Sequence, residues 1–259
     1  MRALVAGTGD LPAVLARHDP DLIICAMAGF DPAIPVDLRF RIETLGQFLD
    51  DLVGRDVTQV CFAGAVNRPD IDPSAIDAKT VPLVPRLLAA ISKGDDGALR
   101  DVLAIFEERG FAIIAAHDIA PTLLPPSGVL STRDIRKGIS KDARLGQSVV
   151  AAMGERDQGQ ACVIRDGQVL VQEQRDGTDA MLRTPDIQGG ILFKAPKPNQ
   201  DRRADLPTIG PGTVQAASAA GLRAIVIEHD GVMVLDQAAV IEAADGAGIC
   251  LWVKAKEAD

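Results

Sequence analysis

The sequence is poor in aromatic residues and carries an excess of negative charge. It has no tyrosine, one tryptophan (Trp252) and a formal net charge of −9 in 259 residues. A nucleic-acid surface needs a basic face and often stacking rings, so nucleic acid is not an expected partner. A hydrophobic fraction of 47% still supplies a core, which must be built mostly of Val, Leu, Ile and Ala.

Cysteine and histidine are also scarce and scattered. No pair of cysteines has C-x-x-C spacing, so zinc or dithiol redox chemistry is not expected, and the thiols are predicted to be reduced core residues. A metal site built on histidine stays open as a minor alternative, although no two histidines have helical metal-ligand spacing. The residues concerned are Cys25, Cys61, Cys162 and Cys250, and His18, His117 and His229.

Long apolar runs are missing as well. No stretch approaches the roughly 18 apolar residues of a membrane span. The first residues, MRALVAGTGDLP, are predicted to form a strand followed by a glycine turn, and their apolar part is too short for a signal peptide. A cytoplasmic protein is expected.

The first half of the chain alternates buried-strand patterns with helical spacing. Leu45, Phe48 and Leu52 recur at helical intervals, as do Leu99 and Phe106. Alternation of this kind predicts a mostly parallel sheet covered on both faces. The predicted strands lie at 2–6, 22–27, 57–63 and 111–116.

Prolines and a glycine break this pattern at 121–134, and 125–138 is interpreted as an interdomain connection. The second half is predicted to open with a helix from 141 to about 154. A hairpin turn at Asp166-Gly167 and further strands at 191–194, 224–228, 233–235 and 249–253 then predict a mixed sheet. The expected organisation is a Rossmann-like domain at 1–130 and an α/β domain at 131–259.

A glycine turn, GTGDLP, follows the first strand. Glycines let the backbone approach a ligand, and a helix N-terminus favours an anion, so Gly9 and Asp10 are candidate contacts for a nucleotide or phosphate. Pro12 replaces the third glycine of the dinucleotide fingerprint, and LIICAMAGF ends without a ribose-binding acid, so NAD binding is disfavoured. The structural alternative is a tight turn between strand and helix.

A second loop, GAVNRP at 64–69, follows another predicted strand. Ligands gather beyond the carboxyl ends of strands in open α/β sheets, so Asn67 and Arg68 are expected near the glycine turn. Arg68 is equally compatible with a surface salt bridge. The two acids in GDDG (94–97) are adequately explained as helix caps, and a metal role for the pair is the minor alternative.

The most polar stretch is the 194–205 segment, KAPKPNQDRRAD. Its prolines keep it out of helix or central strand, and arginine and lysine donate charge-assisted hydrogen bonds to phosphate. The acids could hold a metal ion or a water. From these residues alone, a solvated loop with chance charge pairing is an equally good interpretation. The charged residues are Lys194, Lys197, Arg202 and Arg203, with Asp201 and Asp205.

KAPKPNQDRRADLPTIG (194–210), KGISKDARLGQS (137–148) and DGTDAML (176–182) together resemble the UDP-2,3-diacylglucosamine pyrophosphatase family of lipid A biosynthesis, the LpxI type. The resemblance runs nearly end to end through GTGDLP, FAGAVNRP and GDDGALR. It implies a two-domain α/β hydrolase with its active site in the interdomain cleft. The implied reaction cleaves UDP-2,3-diacylglucosamine to UMP and 2,3-diacylglucosamine 1-phosphate with Mg²⁺, or Mn²⁺ in its place, as water attacks the phosphorus on the sugar side.

The resemblance also implies roles for individual residues. Asp205, with Asp201 as substitute, would ligate Mg²⁺ or orient the water, while the four cations of the 194–205 segment supply positive field. Expected substrate contacts are Gly9, Asp10, Gly64, Asn67, Arg68, Lys137, Lys141, Thr178, Asp179 and Gln200.

A lipid-linked substrate gives the apolar stretch PLVPRLLAAI (82–91) two interpretations. It is a core helix, or it lines an acyl site and touches the inner membrane surface transiently. Domain closure on the ligand is expected near 125–138. A nucleotide-sugar sensor without turnover and a Rossmann-type oxidoreductase are the alternative functions, and the oligomeric state is left open.

Overall fold

A computed structural model describes residues 1–66, 69–91, 93–198 and 200–256. The chain forms two compact units, Met1–Pro121 with Asp201–Asp205, and Thr122–Gln200 with Leu206–Asp259. Five residues of the polar 194–205 segment therefore belong with the first unit by their contacts. The α/β fold class, with one parallel and one mixed sheet, is confirmed.

The first unit contains a five-stranded sheet in the order β3-β2-β1-β4-β5, with every pairing parallel. The first predicted strand is confirmed at its predicted bounds and the other three in shortened form, whereas β3 was missed because three residues that include an exposed arginine give little apolar pattern. The strands are β1 (Arg2–Ala6), β2 (Ile23–Met27), β3 (Leu38–Phe40), β4 (Gln59–Ala63) and β5 (Ala112–Ile114).

Five helices accompany this sheet within its described residues, and α2 and α4 carry the apolar spacing seen in the sequence. Their buried faces meet a cluster of phenylalanines, in which Phe40 and Phe48 stack with ring centroids 4.0 Å apart. The few aromatic residues of the chain are thus concentrated in this core. The helices are α1 (Leu11–His18), α2 (Leu45–Gly54), α3 (Val84–Ile91), α4 (Asp95–Glu108) and α5 (Ala116–Ile119).

Helix α3 and the turn before it cover the apolar stretch at 82–91. Leu87 is buried, whereas Val81 and Leu88 are 56% and 59% exposed. The interpretation as a core helix is therefore right for Leu87 and wrong for Leu88. At α4, Gly94 occupies the N-cap position and the helix begins at Asp95, so neither aspartate stands at the N-cap position itself.

The second unit contains a six-stranded mixed sheet in the order β6-β13-β11-β9-β7-β8, and a two-stranded parallel sheet of β10 and β12. The predicted hairpin is confirmed, because Asp166 and Gly167 both have positive φ between antiparallel β7 and β8. The strands are β6 (Gly128–Val129), β7 (Ala161–Arg165), β8 (Gln168–Gln172), β9 (Ile191–Lys194), β10 (Thr208–Ile209), β11 (Ala224–Glu228), β12 (Met233–Val234) and β13 (Cys250–Lys254).

The helices of this unit include one that is longer than predicted. Helix α6 begins at Arg136 and so includes the whole KGISK stretch, of which only Lys141 was expected in the helix. A Cβ on Gly146 would lie 2.6 Å from the Phe193 side chain, so this glycine lets α6 pack closely on β9. The helices are α6 (Arg136–Glu155), α7 (Gly177–Met181), α8 (Pro211–Ala219) and α9 (Gln237–Gly246).

The cysteines occupy four strands, and all are buried and free of disulfide bonds. Burial raises the pKa of Cys25, Cys61 and Cys162 to about 12. Their prediction as reduced core residues is confirmed. Among the described residues, no helix has both the length and the apolar character to cross a membrane.

Candidate functional site

The glycine turn after β1 and the loop after β4 are joined by a two-residue bridge. Thr8 and Ala65 exchange both backbone hydrogen bonds at 2.9 Å, and Gly7 N–H donates to the Ala63 carbonyl at 2.8 Å. Because β1 and β4 are neighbours in the sheet, their following loops meet at the same edge. The predicted proximity of these loops is confirmed by Thr8 and Ala65, although Asn67 and Arg68 lie outside the described residues.

Close backbone approach explains the glycines on both sides of this bridge. A Cβ on Gly7 would lie 2.4 Å from the Ala65 carbonyl oxygen, and one on Gly64 would lie 2.7 Å from that of Thr8. Gly64 and Gly9 also have positive φ, of 93° and 96°. Gly9 is exposed, and a Cβ there would meet nothing within 4 Å, so it is glycine for its conformation alone.

The position of this turn in the sheet suits a ligand. The chain runs from β1 to β2 on one side and reaches β4 on the other, so the strand order reverses beside β1. Open α/β sheets bind ligands beyond the carboxyl ends of strands at such a point. Exposed Asp10 stands at the N-cap of α1 without a side-chain capping bond. Gly9, Asp10 and Gly64 therefore lie together at one edge of the sheet.

A buried lysine is the centre of a polar cluster in the second unit. Lys194 is the last residue of β9 and is only 7% exposed. Its Nζ donates to Thr178 Oγ1 and to the Thr208 carbonyl, both at 3.0 Å, and Thr178 donates in turn to Glu173. The structure thus brings two predicted residues, Lys194 and Thr178, into direct contact.

The electrostatics of this cluster are set by burial and by two acids. Burial lowers the pKa of Lys194, while the negative charges of Glu173 and Asp179 raise it. Glu173 is 6% exposed and also accepts from the Gln160 backbone N–H at 2.7 Å. Sequence reasoning missed Glu173, since a lone glutamate at the end of an amphipathic strand carries no motif.

Helix α7 supplies the two other predicted residues near this cluster. Asp176 occupies its N-cap but makes no side-chain capping bond, so the capping explanation of DGTD is wrong. Thr178 faces Glu173 and Lys194, whereas Asp179 is exposed. The motif therefore contributes through Thr178 rather than through a cap.

The start of the 194–205 segment is folded back on itself. Lys197 N–H donates to Gln200 Oε1 at 2.9 Å, and Lys197 Nζ pairs with Asp157 at 2.5 Å. Gln200 is buried and donates to Gln160 Oε1 at 3.4 Å. Lys197 and Gln200 are thus brought together, and the ion pair gives part of the Lys197 charge a structural partner.

The end of the segment is held by an arginine. Arg203 binds both carboxylate oxygens of Asp201, through Nε at 3.0 Å and a terminal nitrogen at 2.7 Å, and binds Glu107 at 2.6 Å. The hydrogen bonds from Arg203 lower the pKa of Asp201. Asp201 is therefore an ionised structural acid, which weakens its claim to act as a substitute for Asp205.

Asp205 is positioned by the backbone around Asp201. The Asp201 carbonyl accepts hydrogen bonds from the backbone N–H groups of Ala204 at 3.1 Å and Asp205 at 3.0 Å, forming one tight turn. Asp205 and Arg202 are both half-buried in this turn. A carboxylate and a guanidinium of the predicted catalytic set thus share one short, ordered stretch.

The two remaining predicted lysines are on a regular helix. Lys137 and Lys141 are both exposed and one turn apart near the start of α6. Neither makes a contact with the Lys194 cluster among the described residues. They were expected beside the interdomain connection, with Lys141 as the first residue of the helix, and the structure places both of them on α6.

The acids of the described residues are dispersed. No group of three or more His, Cys, Asp or Glu side chains is arranged to hold a metal ion there. Magnesium needs only one or two carboxylates when substrate phosphates and water complete its shell. Asp205, in a turn that also carries Arg202, is a carboxylate of the kind that such a sparse site would need, and Asp201 is hydrogen-bonded to Arg203.

Comparison with known proteins matches both halves of the chain. Residues 1–123 match the model of the LpxI N-terminal domain, and residues 126–252 match that of the LpxI C-terminal domain. The chain is 38% identical over 273 aligned positions to the UDP-2,3-diacylglucosamine pyrophosphatase LpxI of Caulobacter vibrioides, covering 95% of this chain and 94% of the relative. The chain belongs to the LpxI family.

Proposed function

We propose that this chain hydrolyses the pyrophosphate bond of UDP-2,3-diacylglucosamine to UMP and 2,3-diacylglucosamine 1-phosphate. The relative from Caulobacter vibrioides carries the name of this activity, and the match extends over both domains. The observation that carries the proposal is the turn at 201–205, where Asp205 stands beside two arginines in a family-matching segment.

The proposed reaction is a displacement at phosphorus. A water oxygen forms a bond to the phosphorus on the sugar side, the bridging P–O bond breaks, and UMP leaves with the bridging oxygen. The attacking water loses one proton, and Asp205 is positioned to orient this water and accept its proton. Positive side chains, foremost Arg202, stabilise the charge that develops on the phosphate oxygens.

The buried lysine is assigned a supporting role. Lys194 lies in a cluster with Thr178, Thr208 and Glu173, so its ammonium group holds the end of β9 and the start of β10 in place. This role differs from the direct phosphate contact expected from the sequence. Arg203 likewise orients Asp201 and anchors the turn through Glu107.

A divalent cation is part of the proposal. Asp205 would hold Mg²⁺, or Mn²⁺ in its place, together with substrate phosphate oxygens and water. When bound, the ion would neutralise charge on the diphosphate and activate water. Because most ligands would arrive with the substrate, the protein alone is expected to bind Mg²⁺ weakly. The interdomain location of the substrate, the cytoplasmic location and the contact with a membrane surface stay predictions.

Release of UMP from UDP-2,3-diacylglucosamine by the purified chain, presented in detergent micelles, tests the reaction. We expect turnover with Mg²⁺, loss of turnover in excess EDTA and recovery when Mg²⁺ or Mn²⁺ is added back. Circular dichroism before and after chelation shows whether the fold is unchanged. Tight substrate binding without UMP release would favour a sensor, and full turnover in EDTA would remove the metal from the proposal.

A further inference from the structure

A basic cavity lies within the second unit. Its volume is about 1060 Å³, and it is lined by the start of α6, the end of β13 and the chain just before β11. One acid, Asp134, also lines it, in a protein whose net charge is −9. The six cationic residues in its lining are Arg133, Arg136, Lys137, Arg144, Arg223 and Lys254.

The sequence builds this cavity largely from one face of α6. Lys137, Ser140 and Arg144 are separated by three and four residues, which places their side chains in a row along the helix. The row begins at the helix N-terminus, where unsatisfied backbone N–H groups add a partial positive charge. A Cβ on Gly138 would meet nothing within 4 Å, so the helix start is open on that side.

Some of these cations already have partners. Arg136 makes a two-pronged ion pair with Asp134, Arg133 donates to the Gly248 carbonyl, and Arg223 contacts Asp142 at 3.4 Å. These contacts fix the arginines in place rather than cancel the charge of the whole cavity. Arg223 in addition keeps its Nε buried with no hydrogen-bond partner in the described part of the chain.

Two cations are less constrained. Neither Lys137 nor Arg144 makes a side-chain hydrogen bond or an ion pair within the described ranges, and both are exposed, although Lys137 lies close enough to Asp134 for their charges to interact. Like charges gathered in one concavity repel each other, so the arrangement favours a ligand with several negative charges. Half-buried Trp252 lines the same cavity and offers an aromatic surface beside the arginines.

We propose that this cavity binds a phosphate-bearing anion, held by Lys137, Arg144 and Arg223. Arginine and lysine donate charge-assisted hydrogen bonds to phosphate oxygens, and the cavity is large enough for a nucleotide or a lipid head group. None of the described residues of the 194–205 segment lines the cavity, so the site goes beyond the catalytic segment of the proposed reaction. A soluble phosphate ester and an anionic lipid head group share the chemistry that the site recognises.

Binding in this cavity can be followed by intrinsic fluorescence because of the composition of the chain. Trp252 is the only tryptophan and the chain has no tyrosine, so intrinsic fluorescence excited near the red edge reports on this cavity alone. Titration with inorganic pyrophosphate, and separately with UMP, is expected to change the fluorescence saturably, and less so as the salt concentration rises. Isothermal titration calorimetry of the same mixtures detects binding that leaves the fluorescence unchanged.

Variants of two residues locate the site. Arg144→Gln, alone and with Lys137→Gln, should weaken binding about tenfold or more, the scale of a lost charge-assisted hydrogen bond. Arg156→Gln is the matched control, because Arg156 is exposed at the other end of α6 and does not line the cavity. The test measures binding and not turnover, so it stays valid even if the chain proves inactive as an enzyme. If the chain is active but does not bind these anions in the cavity, the inference about the cavity is refuted and the proposed function is not.

An experiment with lipid vesicles distinguishes a soluble phosphate ester from an anionic lipid head group as the ligand. Cosedimentation with phosphatidylglycerol vesicles that depends on Arg144, together with no response to pyrophosphate or UMP, would assign the site to lipid head groups. Saturable, Arg144-dependent binding of pyrophosphate or UMP would assign it to soluble anions. No binding in either arm, or binding that Arg144→Gln and Arg156→Gln weaken equally, would overturn the proposal.

Discussion

The glycine turns at 7–10 and 64–66 and the polar segment at 194–205 were both predicted to contact substrate, but they are built by different means. The turns are held by backbone hydrogen bonds between Thr8 and Ala65, and their glycines are needed for space and conformation. The polar segment is held mainly by side chains, with Lys194, Lys197 and Arg203 each occupied by named partners.

This difference separates two kinds of dependence on sequence. At Gly7 and Gly64 a side chain would overlap the neighbouring backbone, and at Gly9 it would strain a left-handed backbone conformation, so substitutions at these glycines act on the fold. In the polar segment, Arg203 binds Asp201 through two hydrogen bonds, and Asp205 is the acid that we propose for the chemistry. Mutations in the polar segment can therefore be tested by turnover, and mutations in the glycine turns by the free energy of unfolding.

The largest effect is expected at Asp205. Asp205→Asn keeps the size of the side chain but removes the charge, so turnover should fall roughly 10²-fold or more, the scale of a catalytic acid–base group. Substrate binding should survive, because a negative charge beside a diphosphate is removed. Steady-state kinetics and a binding titration check this, with exposed Asp21→Asn as the control. Near wild-type turnover would exclude Asp205 from the mechanism.

The glycine turn gives the next effect, and it concerns stability. The added methyl of Gly7→Ala would overlap the Ala65 carbonyl, and such overpacking costs about 1–3 kcal/mol of unfolding free energy. Gly54→Ala in the same unit meets nothing within 4 Å at the end of α2 and should be neutral or slightly stabilising. Denaturant unfolding of both variants checks the contrast. Equal stabilities would show that the Thr8–Ala65 bridge yields easily.

Two lysines three residues apart sharpen the comparison within the polar segment. Lys194→Met leaves Thr178 Oγ1 and the Thr208 carbonyl without their buried donor and removes the positive charge near Glu173, which costs about 1–3 kcal/mol. Lys197→Met removes a partly exposed ion pair with Asp157 and should cost less than about 1 kcal/mol. Chemical unfolding measures both. If Lys197→Met is the more damaging change, the Lys194 cluster is not the main structural anchor.

The smallest effect depends on pH. Arg203 holds the pKa of Asp201 below its ordinary value of 3.8, so the stabilisation is fully present above about 3.8 and is lost as pH falls through the lower folded value. The difference in unfolding free energy between wild type and Arg203→Gln should therefore shrink below pH 4. Because Arg203 is partly exposed, the pair contributes about 1 kcal/mol or less at neutral pH. A difference that stays constant down to pH 2 would show that Arg203 stabilises the turn without Asp201.

Local patterns were enough to predict much of the fold. Strands β1, β9 and β11 were predicted at their observed bounds, because short runs of buried Val, Ile and Leu between turn residues have few other structures open to them. The start of α6 and the short strand β3 were missed, since polar helix starts and three-residue strands lack that pattern. Family membership was also evident, because long motifs are spread over both domains.

By itself the sequence determined the two α/β units, the glycine turns and the residue types of the candidate site. Only the tertiary structure decided which charges are occupied. Arg203 finds Glu107 at a separation of 96 residues, and Lys194 is buried beside Glu173, which carries no motif. The same holds for the cations that α6 gathers around Trp252. The physical reason is that secondary structure follows from neighbours along the chain, whereas the partner and solvation of a charge depend on groups brought close only by folding.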